Sequence, residues 1–215
     1  MTKHIKIDFI SDVTCPWCAI GLAGLKRALQ NSADVIDAEI VFHPYELNPT
    51  MPSGGQNIVE HVAEKYGATR AQSDANRSVL VARAADAGFD MAIDENSRIY
   101  NSFDAHRLLH WAKLQGRQMQ LKNALFIANF TNNRDLGDHA VLVQAAAAAG
   151  LDVSEARMVL ESDQYAAEVR SEVDYWKSRG IRSVPSIILD GRQLISGGLP
   201  VKEFGEILRT FATET

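Results

Sequence analysis

The 215-residue sequence contains two cysteines, Cys15 and Cys18, both inside the stretch SDVTCPWCAIG from Ser11 to Gly21. Thiols at i and i+3 suit one reaction well: one sulfur attacks a disulfide, and the other displaces it from the resulting mixed disulfide. The pair stands where a predicted strand gives way to a predicted helix. There, unpaired backbone N–H groups and the positive end of the helix dipole favour a thiolate. A cysteine with an ordinary pKa of about 8.5 is only about 3% ionised at pH 7, and a helix N-terminus lowers such a pKa to roughly 3.5–7.5. The gain in thiolate is nearly cancelled by lost nucleophilicity, so what remains is a better leaving group. Cys15, nearer the helix end, is the expected nucleophile and Cys18 the resolving thiol. Pro16 and Trp17, between them, are expected to meet the substrate.

Two duller readings compete. The cysteines could be apolar filler, which the strand–CPWC–helix setting disfavours. They could be half of a zinc site, but structural zinc takes four ligands and no cysteines remain. His106 and His110 have i, i+4 spacing, which more often marks one helix face than a ligand pair. No metal is expected.

The elements around the pair are legible. KHIKIDFISD (3–12) reads as a buried strand, and Pro16 to Gln30 as a helix with proline in its first turn. Gly21 and Gly24 each cost that helix roughly 1 kcal/mol relative to alanine, which close packing on a sheet would explain. AEIVFHPYELNP (38–49) reads as a second strand, so the unit is βαβ with parallel strands. Residues 57–179 read as helices: a capping box at Thr69 and Gln72, a helix over 101–116, an alanine-rich one over 138–150, and a last one from about 163 to 179. The last carries Val169, Val173 and Trp176 as one stripe. Ser186–Leu189 and Gln193–Ile195 flank Asp190-Gly191, a strong hairpin signal. Pro200 opens a final helix with Phe204, Ile207, Leu208 and Phe211 on its apolar side.

The composition, 46% hydrophobic and 23% charged, supplies a sizeable core. The net charge of −5 carries no basic block, which argues against nucleic acid. No apolar run reaches the roughly 18–20 residues that cross a bilayer, so no membrane role is expected. MTKHIKIDFISD turns polar too soon for a signal peptide's apolar core, and the cytoplasm is the expected compartment.

IKIDFISDVTCPWCAIG, NSFDAHRLLHWA and GIRSVPSIILDGRQLISGGLP together resemble the DsbA-like thioredoxin-fold oxidoreductases. Within them they look most like the FrnE-like branch, related to 2-hydroxychromene-2-carboxylate isomerases and kappa-class glutathione transferases. The resemblance implies an α/β thioredoxin fold with an inserted all-helical domain. Residues 1–56 and 180–215 would form the thioredoxin-like domain and 57–179 the insertion, whose last helix packs back on it. It implies that Val184-Pro185 is the cis-proline motif offering backbone bonds to an extended substrate. Asp8 resembles the buried acid that takes the resolving thiol's proton, its alternative being an acid at a strand end. Asn101, Phe103 and His106 match a segment at the active-site cleft, in contact with substrate or bracing the two domains. Ser186 and Leu199 depart from that branch's usual aromatic and glutamine, and bear on substrate choice.

Three functions follow as expectations. The first is a disulfide oxidoreductase acting on disulfide- or thiol-bearing proteins or small molecules. The second is a glutathione-dependent isomerase or transferase on an aromatic small molecule, whose relatives carry serine at the nucleophile position. The third is a non-catalytic binding domain. No cofactor is implied, with glutathione open as a co-substrate, and a homodimer is the commonest assembly for such chains.

Overall fold

The computed structural model describes residues 2–214. A four-stranded sheet in the order β2-β1-β5-β6 is built from β1 (Lys3–Ser11), β2 (Ile36–Pro44), β5 (Ser186–Leu189) and β6 (Gln193–Ser196). β1 and β2 run parallel, in register from Lys3 opposite Ile36 to Ser11 opposite Pro44, while β5 and β6 are antiparallel. The crossover is α1 (Pro16–Gln30), and α9 (Val201–Thr213) closes the chain. At the β5–β6 turn, Asp190 and Gly191 have φ of 45° and 68°, the left-handed pair that a tight hairpin requires.

Between the two halves lie α2 (Ile58–Tyr66), α3 (Arg70–Ala87), α4 (Phe103–Leu114), α5 (Gln118–Phe126), α6 (His139–Ala148), α7 (Val153–Leu160) and α8 (Ala166–Ser178). The capping box of α3 forms as expected, with Thr69 and Gln72 serving each other's backbone N–H. Two features lie outside the sequence reading: a two-residue ladder, β3 (Gln56–Asn57) with β4 (Arg98–Ile99), and a π-helical turn over Ile127–Thr131. Both are short and tertiary in origin, with no periodic pattern to reveal them.

Strand alternation sorts the core. Ile5, Ile7 and Phe9 of β1 face α1, α9 and the Leu80 and Ala84 side of α3. Ile10 points the other way, toward Trp176 of α8, Tyr45 and Ile181. The helical segment has its own core around Leu108, Leu121, Leu125 and Leu142. It clasps the open edge of the sheet: the Gln118 amide gives and receives hydrogen bonds at the Phe42 backbone, 2.9 and 3.0 Å. A side chain thereby caps an edge strand that would otherwise expose unpaired groups. β2 ends at Pro44 rather than Pro49, because Asp12 captures the Leu47 N–H at 2.7 Å and draws the chain off the sheet.

Candidate active site

The turn from β1 to α1 is shaped by Asp12. It is fully buried; one carboxylate oxygen accepts the Thr14 N–H at 3.0 Å and the other the Leu47 N–H. His106 Nε2 stands 3.7 Å from the carboxylate and hydrogen-bonds the Tyr45 carbonyl at 3.1 Å. Burial alone would raise this carboxyl, but His106 and the two amides hold it below the ordinary carboxylate range.

Cys15 is the N-cap of α1, with extended backbone, and Pro16 takes the first helical position. No acidic residue sits in the first turn to oppose a thiolate. The Cys15 thiol donates to the Val184 carbonyl at 3.7 Å, and the Val184-Pro185 peptide is cis. Cys15 is only 4% exposed, Cys18 not at all, and Trp17 37%. Glycines allow the close approach: a β-carbon on Gly21 would lie 3.1 Å from Pro185 Cγ and 3.2 Å from Gly198 Cα. The two glycines in α1 thus do what their cost suggested, letting the helix lie against the cis-proline loop and Leu199.

Burial pushes the Cys18 thiol well up, and its hydrogen bond and charge interaction with Cys15 push in the same direction. Lys122 and the Asp12 backbone work against that rise. Lys122 itself, on α5, is fully buried and without a hydrogen-bond partner. Burial brings its ammonium down to about 8, opposed by the charges of Cys18, Asp12 and Cys15. Beside the pair opens a small recess walled by Thr14, Pro16, Ile58, Tyr100, Asn129 and Phe130. Asn129 and Phe130 come from the π-helical turn, an element frequent at functional sites. Asn129 also donates to the Val13 carbonyl at 3.2 Å, fixing that wall to the turn.

Cys15, Pro16, Trp17, Cys18, Val184 and Pro185 therefore meet in one place. Asp8 does not join them, which corrects its reading as the proton acceptor. It lies on the sheet face opposite Phe9 and Cys18, its carboxylate paired with Lys6 at 2.7 Å and His43 at 2.8 Å. Burial would raise its pKa, but those partners lower it overall. Asn101 donates to the Pro49 and Met51 carbonyls and caps the Phe103 N–H; the Phe103 ring stacks under Arg170. With His106 on the Tyr45 carbonyl, Asn101 holds the 45–51 loop to the helical segment, while Phe103 packs within that segment. His110 instead packs on Tyr165, and among the described residues no three His, Cys, Asp or Glu side chains converge as metal ligands. Among them, too, no helix is long and apolar enough to cross a membrane.

Asp12 and Lys122 escaped the sequence reading. Asp12 left no signal beyond its place three residues before Cys15. Lys122 left one: it interrupts the apolar stripe Leu121, Leu125, Phe126 of α5, where a lysine is out of place.

A βαβ unit, a ββα unit, a CxxC pair at a helix N-terminus and a cis-proline facing it define a thioredoxin fold carrying a helical insertion. The chain belongs to the DsbA-like thioredoxin domain family, matched over residues 6–209, and with it to the DsbA-like oxidoreductases. It is 33% identical to a probable DsbA oxidoreductase of Streptomyces coelicolor, whose crystal structure it follows over 99% of this chain and 92% of that one, TM-score 0.90. The uncharacterized protein YwbO of Bacillus subtilis is 26% identical over 198 residues, 92% of this chain and 91% of that protein. A cytosolic disulfide reductase of Pseudomonas aeruginosa, DsbM, solved with glutathione, shares the fold at 16% identity, covering 96% and 98% of the chains, TM-score 0.65.

Proposed function

We propose that this protein is a cytoplasmic thiol–disulfide oxidoreductase of the FrnE-like branch, with Cys15 as nucleophile and Cys18 as resolving thiol. The observation that carries it is the placing of Cys15 at the α1 N-cap against the Val184 carbonyl, with Cys18 sealed beneath. In the reducing direction, the Cys15 thiolate attacks a substrate disulfide, forms a mixed disulfide and expels one substrate thiolate. Cys18 then attacks Cys15 Sγ, breaks the mixed disulfide and releases the second. The two electrons come from the cysteine pair, and the reverse sequence oxidises a dithiol.

The substrate is a disulfide- or thiol-bearing protein or small molecule that reaches Cys15 past Pro16 and Trp17, beside the recess lined by Thr14, Tyr100 and Asn129. Asn101 and His106 serve that substrate indirectly, by bracing the loop at the cleft, and Phe103 by packing on Arg170 within the helical segment. Glutathione as co-substrate fits the same chemistry. A glutathione-dependent isomerase is the weaker reading, since Cys15 stands where those enzymes use serine.

The deciding experiment equilibrates the protein across glutathione redox ratios and counts oxidised Cys15–Cys18 by thiol blocking and mass spectrometry. A reversible two-electron transition is expected. A midpoint of roughly −120 mV identifies an oxidant and one of roughly −270 mV a reductant. No transition at any ratio overturns the proposal.

A further inference from the structure

On the face of the sheet turned away from Cys18, His43 of β2 stands with each ring nitrogen against a carboxylate. Nδ1 lies 2.5 Å from Glu172 Oε1 on α8, and Nε2 lies 2.8 Å from Asp8 Oδ1 on β1. The side chain is buried, and the Trp176 ring of α8 covers it, 4.8 Å between centres. A neutral imidazole donates from one nitrogen only, so two carboxylate partners require a proton on both. Two further observations agree. Burial would raise both carboxyls, yet Lys6 and His43 at Asp8, and His43 at Glu172, hold them below the ordinary range and therefore ionised. A charged ring also gains from lying against an indole.

α8 is the last helix of the insertion and runs into the loop that meets Cys15. The Ile181 N–H returns to the Trp176 carbonyl at 3.1 Å, and Val184 packs on the cluster that Trp176 and Ile181 share with Ile10 and Tyr45. We infer that Glu172, His43 and Asp8 form a proton-operated latch, with His43 as the positioning residue, that fastens α8 and the loop bearing Val184 to the sheet. With both ring protons in place the latch is closed. When the ring loses one, a buried carboxylate faces a bare nitrogen, the two carboxylates repel, and α8 loosens. The latch therefore holds on the acid side of the His43 titration and is lost as pH rises through it. Toward strong acid it lasts until Asp8 or Glu172 takes up a proton, below the ordinary carboxyl range. The other charged or titratable groups around it are Lys6 on β1, His106, His110 and Lys113 on α4, and Lys122 on α5. None of them bonds the ring, whose two nitrogens are taken. The latch is a property of the fold, and its bearing on Cys15 rests on the disulfide-exchange reading above.

The test is NMR of the full chain under a non-thiol reductant, from about pH 5.5 to about pH 9, a range that spans the ordinary imidazole titration. The ring nitrogens of His43 report their own protons, and hydrogen exchange is followed at the Val173, Trp176 and Ile181 amides. The ring should hold two protons at the acid end and lose one on the way up. With the same midpoint, the protection of those amides, corrected for intrinsic exchange, should fall about tenfold, the lower end of what a hydrogen bond to a charged group contributes. Glu172→Gln offers an amide N–H to Nδ1, so that a neutral ring completes the array, and His43→Gln removes the ring. In both variants the protection should no longer follow pH. Lys122, whose ammonium is brought down to about 8, is present in both and cannot account for a dependence that they lose. A ring whose proton count does not change across the range overturns the inference, as does wild-type protection that ignores the ring's titration. So does a pH dependence that persists in either folded variant. No thiol takes part in these readings, so the latch can fail while disulfide exchange stands, and the glutathione titration can fail while the latch stands.

Discussion

Replacing Lys122 by methionine should stabilise the reduced protein at pH 7, although it removes a charged side chain buried beside Phe42 and Phe126. Methionine has nearly the same length and fills irregular apolar space well. The fall of the ammonium pKa from its ordinary 10.5 to about 8 is worth about 3 kcal/mol of destabilisation near neutral pH, at 1.36 kcal/mol per tenfold. Losing the attraction to the Phe126 ring gives back roughly 1–2 kcal/mol, so the net gain should be about 1–2 kcal/mol. For a chain of this size that raises Tm by about 2–8 °C. The sign with pH is fixed by proton counting. Between about pH 8 and 10.5 the unfolded chain holds the Lys122 proton that the folded chain has lost, so wild-type stability from this group rises with pH. The raised Cys18 thiol acts oppositely at alkaline pH, which is why the variant is compared with wild type at each pH. Urea unfolding of both proteins under a non-thiol reductant, at pH 7 and at pH 9.5, measures the difference. It should be largest at pH 7 and shrink at pH 9.5. A variant less stable than wild type at pH 7, or a difference that ignores pH, would refute the reasoning.

Asp12→Asn should cost about 2–3 kcal/mol, because one of its two amide partners, Leu47 or Thr14, must then face an NH₂ group. In wild type the Asp12 contribution is fully present above the ordinary carboxyl value of 3.8 and is lost as pH falls through the lower folded value; a urea midpoint unchanged by the substitution at pH 7 would count against this. Asp8→Asn should weaken the pairs with Lys6 and His43 yet leave the Cys15–Cys18 potential within roughly 10 mV; a move of roughly 30 mV or more, about 1.4 kcal/mol, would return Asp8 to the redox site. Gly21→Ala should be close to neutral, the helix gaining about 1 kcal/mol while the contact at 3.1 Å from Pro185 takes up a similar amount. Gly21→Val adds two methyl groups at the same contact and should cost about 1–3 kcal/mol by thermal melting; a valine variant as stable as wild type would mean that α1 does not rest on Pro185 as described.

Local chemistry carried much of this protein into its sequence. The bounds of α1, the β5 strand, the Asp190-Gly191 turn and the Thr69–Gln72 capping box are each set by residues within a few positions of one another, and all form as read. The same holds for Cys15 and Cys18, whose spacing and setting name their chemistry before any neighbour is known. What the chain could not announce is which distant groups close over the pair. The side of the sheet that Asp8 faces depends on strand parity relative to α1, and the acid beside the pair is Asp12, four residues further on, at the turn into α1. Lys122 lies beside the Phe42 ring because Gln118 locks α5 to the open edge of β2, a contact between positions 76 residues apart in the chain. The sequence by itself determined the reactive pair and the framework that presents it. The tertiary structure decided its electrostatic surroundings, because charge interactions depend on distance and burial, and those are settled only when the helical insertion packs against the sheet.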